Sequence, residues 1–313
     1  MMSTNLPEDG PIAFLNGKQI PFHRARLPVY DLGVMQGATL TERLRTVQHR
    51  PYLVDEHLDR LARSITAVSW NVPFDRNSFS NWIHQLAEIN SRGLPPAMDL
   101  SVVIFITAGQ GLADANGEID VSQPTVCVYT APLPFPRWAA AYREGVQLFI
   151  PSIRQIPAES LDPCMKHRSR LHWSLADQQA RSAHPQGMAL LLDQQGGVTE
   201  TSSGNLFMVR KGTLWTPLAA TTLPGIAQSH VIQLARSMGI PVERTRMTPH
   251  EVMDAEEAFL TSSTYCLLPV SHLDGHKIGT ELPGKLTRRL TSAWSNEIGL
   301  NFAQQAQEIA TIQ

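Results

Sequence analysis

Leu100-Ser101-Val102-Val103-Ile104-Phe105-Ile106-Thr107 is the stretch that decides the fold class. It is almost wholly apolar and rich in β-branched side chains, so it reads as a central strand buried on both faces. Upstream, Leu58, Leu61, Ile65 and Val68 recur at helical spacing and predict a helix over 55–68, with Asp55 as a fair N-cap. Phe79, Trp82, Ile83, Leu86 and Ile89 predict a second helix over 75–91. Residues 11–30 read as a hairpin in which Ile12 to Leu15 meets Gln19 to Phe22 across the Asn16-Gly17 turn. Residues 51–54 and 124–130 supply further strands. Strands interleaved with helices give a mixed α/β architecture to this half.

Ala131-Pro132-Leu133-Pro134-Phe135-Pro136 then interrupts the pattern. Three prolines so close together favour an extended, semi-rigid segment and oppose a helix interior or a central strand. The expected organisation is a disordered N-terminus over 1–10, a small domain over 11–130, a proline-rich linker over 131–137 and a larger domain over 138–313. Within the larger domain the pattern predicts a strand at 146–150, a helix at 171–181 and paired strands at 188–193 and 205–210. A helix at 228–238, a strand at 258–261, a hairpin at Asp274-Gly275 and a final helix at 286–298 complete it.

The chain of 313 residues is 42% apolar, enough to bury a sizeable core in two domains. Its net charge of −2 offers no electrostatic reason to bind nucleic acid or an anionic membrane. The polar N-terminus lacks a secretory h-region and no apolar run reaches membrane-spanning length, so a soluble cytoplasmic protein is expected. Cys127, Cys164 and Cys266 are scattered and lack metal-ligand spacing; they read as buried thiols, with no metal site expected.

Of five lysines, Lys18, Lys211 and Lys277 sit in turn sequences and Lys285 opens a basic helix start. Lys166 lies apart, in Cys164-Met165-Lys166-His167-Arg168-Ser169-Arg170-Leu171 at a strand-to-helix junction. Crowding by His167, Arg168 and Arg170 disfavours an ammonium, and a partly neutral lysine forms imines. The same residue also reads as an exposed base at a helix start. Four features elsewhere match what pyridoxal 5'-phosphate (PLP) requires: an acid for the pyridine nitrogen and anchors for a phosphate. Glu200 leads the small polar loop Thr201-Ser202-Ser203-Gly204, and reads either as that acid or as an ordinary turn residue. Leu223-Pro224-Gly225-Ile226-Ala227 precedes a helix, where close backbone approach and free N–H groups suit phosphate; it is also a common turn. Thr261-Ser262-Ser263-Thr264 ends a strand and reads as phosphate ligands or as a cap. Arg60, in His57-Leu58-Asp59-Arg60-Leu61, lies off the apolar helix face and reads as a solvated side chain or a phosphate anchor.

In that order and approximate spacing, these residues resemble the class IV aminotransferases, the fold-type IV PLP enzymes. That family includes branched-chain aminotransferases, D-amino acid aminotransferases and aminodeoxychorismate lyases. The resemblance runs from Phe14-Leu15-Asn16-Gly17 to Pro269-Val270-Ser271-His272-Leu273-Asp274-Gly275. It implies an α+β, two-domain fold like that of D-amino-acid aminotransferase, with a smaller N-terminal α/β domain and a larger β-rich pseudobarrel domain. It further implies a homodimer acting on small amino acid and keto acid substrates. By the resemblance Lys166 forms the Schiff base, Glu200 pairs with the pyridine nitrogen and Leu223 packs on the ring. Arg60, Gly225, Ile226, Ala227, Ser262 and Ser263 would hold the phosphate. Tyr30, Arg26, Arg168 and Arg170 are candidates for the substrate carboxylate. The implied activity is amino transfer between an amino acid and a 2-keto acid, a branched-chain substrate being favoured. The alternatives are a lyase releasing pyruvate and a non-catalytic module.

Two departures from the family pattern mark the substrate side, and a third removes a phosphate hydroxyl while keeping the backbone donors. The usual Gly-Asp-Gly-Val-Phe-Glu reads Gly37-Ala38-Thr39-Leu40-Thr41-Glu42, Thr-Arg-Gly reads Thr107-Ala108-Gly109, and Gly-Ile-Thr-Arg reads Gly225-Ile226-Ala227-Gln228.

Overall fold

A computed structural model describes residues 10–113, 116–118 and 123–312. The expected disorder of the N-terminus falls on residues that, Gly10 excepted, lie outside those described. The chain divides into two compact units, Met1–Leu133 with Met165–Ser169, and Pro134–Cys164 with Arg170–Gln313. Residues 165–169 therefore group with the first unit, although their place in the sequence puts them in the expected larger domain.

The first unit begins with β1 (Ile12–Leu15) and β2 (Lys18–Pro21), the short α1 (Leu32–Met35), β3 (Thr39–Val47) and β4 (Arg50–Pro51). Helices α2 (Val54–Val68) and α3 (Arg76–Asn90) follow, then β5 (Leu100–Thr107) and β6 (Thr125–Pro132). The six strands form an antiparallel sheet in the order β2-β1-β6-β5-β3-β4, which leaves β5 inside the sheet, as its apolar composition requires. Leu40, Leu44, Val102, Ile104 and Ile106 turn one face of this sheet onto Leu58, Leu61, Phe79, Ile83 and Leu86 of the two helices. Successive strand residues point to opposite faces, so Thr41, Arg43 and Arg45 belong to the other face.

Two local expectations are corrected here. Leu53 in left-handed geometry, not Asp55, precedes α2, and no side chain caps that helix. Asp55 is exposed in the first turn and pairs with Arg76 at 2.8 Å. The boundary between the units falls between Leu133 and Pro134, inside the proline-rich segment, but that segment is not extended throughout: Ala131 and Pro132 finish β6, and Phe135 opens α4 with Pro136 in its first turn. Proline is tolerated there because the first helical amides have no partner within the helix.

The second unit comprises α4 (Phe135–Glu144), β7 (Val146–Phe149), α5 (Leu171–Ala183), β8 (Met188–Leu192), β9 (Val198–Thr201), β10 (Asn205–Arg210) and β11 (Thr213–Thr216). It continues through α6 (Ile226–Ser237), β12 (Val242–Arg244), α7 (Pro249–Met253), β13 (Glu257–Ser262), β14 (Cys266–Leu273), β15 (His276–Lys277), α8 (Lys285–Ile298) and α9 (Phe302–Ala310). Strands β10, β13, β14, β7, β8 and β9 follow one another by hydrogen bonding. The ring closes where Glu200 of β9 pairs with Asn205 of β10. Closure removes the free edges that an open sheet would expose. The strands expected to pair at 188–193 and 205–210 are not neighbours: β9, whose polar sequence reads as loop, lies between them. Stacked Phe207 and Phe259, 5.1 Å apart, are both fully buried. The hairpin expected at Asp274-Gly275 joins β14 to β15, but the sequence reading gives neither the full length of β14 nor α9 as a helix. Cys127 and Cys266 are buried as expected, whereas Cys164 is exposed. Among the described residues no helix is long and apolar enough to cross a membrane.

Candidate active site

In the first unit, the Lys166 segment lies along β3. Its carbonyl accepts the Thr41 N–H at 2.8 Å, His167 bridges to Leu40, and the Arg168 N–H donates to Thr39 Oγ1 at 3.0 Å. Ser169 Oγ donates to the Gly37 carbonyl. The Lys166 N–H donates to Ser64 Oγ at 3.3 Å. Ser64 lies one helical turn beyond Arg60 on α2. The lysine backbone is thus fixed on one side by a strand and on another by a helix, while the residue itself is only half-buried.

Arg60 is not the solvated side chain that its helical position allowed. It is 2% exposed. Its Nε and Nη2 donate to the two oxygens of Glu42 at 2.7 and 2.8 Å, the bidentate geometry that suits a planar guanidinium. His57 Nδ1 lies 2.7 Å from Glu42 Oε2. Burial alone would raise the Glu42 pKa, but the Arg60 charge and the hydrogen bonds from Arg60 and His57 outweigh it and hold the carboxyl well below its ordinary range. Burial, joined by the Arg60 and Lys166 charges, lowers the His57 pKa below its ordinary value despite the opposing hydrogen bond and charge of Glu42. An ionised Glu42 only accepts, which places the His57 hydrogen on Nδ1.

In the second unit, Glu200 is 9% exposed and sits at the barrel closure. Its Oε1 accepts from the Leu223 N–H at 3.1 Å and from Gln155 Nε2 at 3.4 Å. Its Oε2 accepts from Asn205 Nδ2 at 3.1 Å, and the same amide donates to the Leu223 carbonyl at 3.0 Å. Asn205 therefore ties Glu200 to the segment that leads into α6. Gly225 is the residue before that helix, and a Cβ there would stand 2.0 Å from Asn205 Oδ1. No side chain caps α6, so the amides of its first turn keep their donor capacity. Thr261 of β13 pairs with Asn205 on the neighbouring strand β10, and its buried Oγ1 has no hydrogen-bond partner. Beyond it, Ser262 Oγ and Thr264 Oγ1 lie 3.2 Å apart, with Ser263 between them half-buried.

The remaining sequence candidates separate. Arg26 is exposed, and Tyr30 is half-buried with its carbonyl accepting from the Gly111 N–H. Arg170 donates to the Ser202 carbonyl and lies over the Trp173 ring, 5.6 Å from its centroid. The structure brings together Lys166, Ser64, Arg60, His57 and Glu42 in one unit, and Glu200, Asn205, Leu223 and Gly225 in the other. Glu42, His57, Ser64, Gln155 and Asn205 carry no role in the sequence reading. His57 was legible, since it precedes Arg60 by three residues and shares its helix face.

The family profile described as amino-transferase class IV matches residues 39–273. Similar proteins include a putative branched-chain-amino-acid aminotransferase of Methanocaldococcus jannaschii, 28% identical over 88% of this chain and 93% of that protein. A D-alanine aminotransferase of Bacillus licheniformis is 26% identical over 90% of this chain and 95% of its own. Among solved structures, the branched-chain amino acid aminotransferase of Escherichia coli shares the fold, with a TM-score of 0.83 at 22% identity over 94% of this chain and 95% of its own. A second branched-chain amino acid aminotransferase, solved with pyridoxamine 5'-phosphate, superposes with a TM-score of 0.81 at 24% identity, covering 92% of this chain and 94% of its own. This chain belongs to the class IV aminotransferase family, and it is an aminotransferase.

Proposed function

We propose that the chain uses PLP to move an amino group between an amino acid and a 2-keto acid, with a branched-chain amino acid as the first donor to test. The observation that carries this reading is the Glu200 carboxylate, buried and held by the Leu223 N–H, Asn205 and Gln155. A carboxylate so fixed suits a protonated ring nitrogen. The donor set around it fits a phosphate too: the uncapped first turn of α6, a glycine where a Cβ would collide, and the buried Thr261 hydroxyl with no partner.

When bound, PLP supplies an aldehyde that condenses with amines and a ring that stabilises negative charge at the adjacent carbon. Lys166 is the residue we assign to hold it covalently, and its side-chain nitrogen, when neutral, would take the substrate α-proton and give it back later in the transfer. Glu200 keeps the ring nitrogen protonated. The amides of Ile226 and Ala227, with Ser262, Ser263 and Arg60, hold the phosphate, and Leu223 packs on the ring. Glu42 is a positioning residue that fixes the plane of the Arg60 guanidinium.

The test is PLP retention after desalting, followed by addition of L- and D-amino acids and measurement of keto acid release. Retention and release with at least one branched-chain amino acid is the expected result. Failure to retain PLP, or keto acid release from none of them, would overturn the reading.

A further inference from the structure

Strand β3 carries two arginines on one sheet face, and the fold treats them differently. Arg45 has an internal counter-ion, with Nη2 3.4 Å from Asp99 Oδ2 and Nε donating to the Thr46 carbonyl at 3.0 Å. Asp99 is itself held by Thr46 Oγ1 at 2.7 Å and the His49 N–H at 2.9 Å. Arg43 donates through Nη2 to a neutral group, Ser101 Oγ, at 3.0 Å. Its Nε is buried and has no hydrogen-bond partner. Among the described residues no carboxylate forms an ion pair with it. The nearest acid in sequence, Glu42, points to the opposite face and is engaged by Arg60 and His57.

The surroundings of Arg43 make an anion more fitting still. Arg43, Val103 and Tyr129 stand in register across β3, β5 and β6, so the phenol shares the face of the guanidinium. Arg168, whose backbone is held at Thr39, adds a second positive charge that, after burial, lowers the Arg43 pKa. Two guanidiniums near one another, one with a buried donor unmatched, are favourable when an anion lies between them. This cluster lies beside Lys166, because the Lys166 carbonyl is bonded to Thr41, two residues before Arg43 on the same strand.

We propose that Arg43, with Arg168, Ser101 and Tyr129, binds a carboxylate of the substrate and thereby sets which amines the enzyme accepts. This assignment rests on the amino-transfer reading, since amino acids and 2-keto acids both carry that group. A planar oxyanion matches the guanidinium fork, and a substrate lacking it leaves the Arg43 donors unpaired.

Calorimetric titration of the purified protein with 4-methylpentanoate and with its neutral amide tests this. The acid binds the unaltered protein at least about 10-fold more tightly than the amide, the scale of a hydrogen bond to a charged group. Arg43→Met brings the two affinities within about 3-fold, and Arg43→Lys retains an intermediate preference. Should Arg43→Met fail to fold, Arg168→Met carries the same comparison, with about a 3-fold loss confined to the acid. Equal binding of acid and amide by the unaltered protein, or an unchanged preference in the folded variant, overturns the assignment. Because the titration does not depend on turnover, failure to retain PLP overturns the proposed function separately.

Discussion

Glu42 and Arg60 meet through two hydrogen bonds of 2.7 and 2.8 Å, with both side chains almost wholly removed from water. Such a pair is costly to break from one side, because the surviving charge is left buried and alone. Glu42→Gln should therefore lower stability by about 3–5 kcal/mol, read as a fall in the denaturant midpoint. A loss under about 1 kcal/mol would show that Arg60 finds compensation elsewhere.

The same cluster sets a pH response. The folded state holds Glu42 below its ordinary value of 4.5 and His57 below its ordinary 6.5. Both groups then bind protons more readily when unfolded, so stability is fully present above pH 6.5 and falls as the solution is acidified. His57 acts first, below 6.5, and Glu42 adds its effect below 4.5. Thermal midpoints measured from about pH 8 to about pH 4 should be level at the alkaline end and decline through the acid range. Replacing His57 by Asn should remove the upper part of that decline.

Gly225→Ala should disturb the second unit at one point. The new Cβ would stand 2.0 Å from Asn205 Oδ1, and Asn205 holds both Glu200 and the Leu223 carbonyl. The expected outcome is a PLP dissociation constant raised at least about 10-fold, measured by equilibrium dialysis, since one charge-assisted hydrogen bond is worth that much.

Glu200→Gln keeps an acceptor for the Leu223 N–H while removing the charge. PLP should still bind, but α-proton removal in single-turnover experiments should slow by about 10²-fold or more, the scale of a lost acid–base contribution. An unchanged rate would take Glu200 out of its assigned role.

Much of this was legible in the sequence. The run Leu100 to Thr107 marked an inner strand because its apolar content leaves no solvent face, and α2 and α3 followed from their spacing. Other features depended on tertiary context. Glu200 lies on a strand, but Val198-Thr199-Glu200-Thr201 is short and polar and shows no period-two alternation. Arg60 reads as solvated until Glu42, 18 residues away in sequence, is placed opposite it. Arg43 is silent in the sequence because its meaning is a missing partner, and periodicity does not reveal which charges stay uncompensated.

The central claim is that Lys166 alone among the lysines carries the cofactor. Lys166→Ala should retain PLP non-covalently and lose at least about 10²-fold in turnover. The most direct measurement uses the unaltered protein: incubation with PLP, borohydride reduction, proteolysis and peptide mass mapping. The phosphopyridoxyl mass should fall on the peptide containing Lys166. Stoichiometric label on Lys18, Lys211, Lys277 or Lys285, or no label at all, would contradict the account.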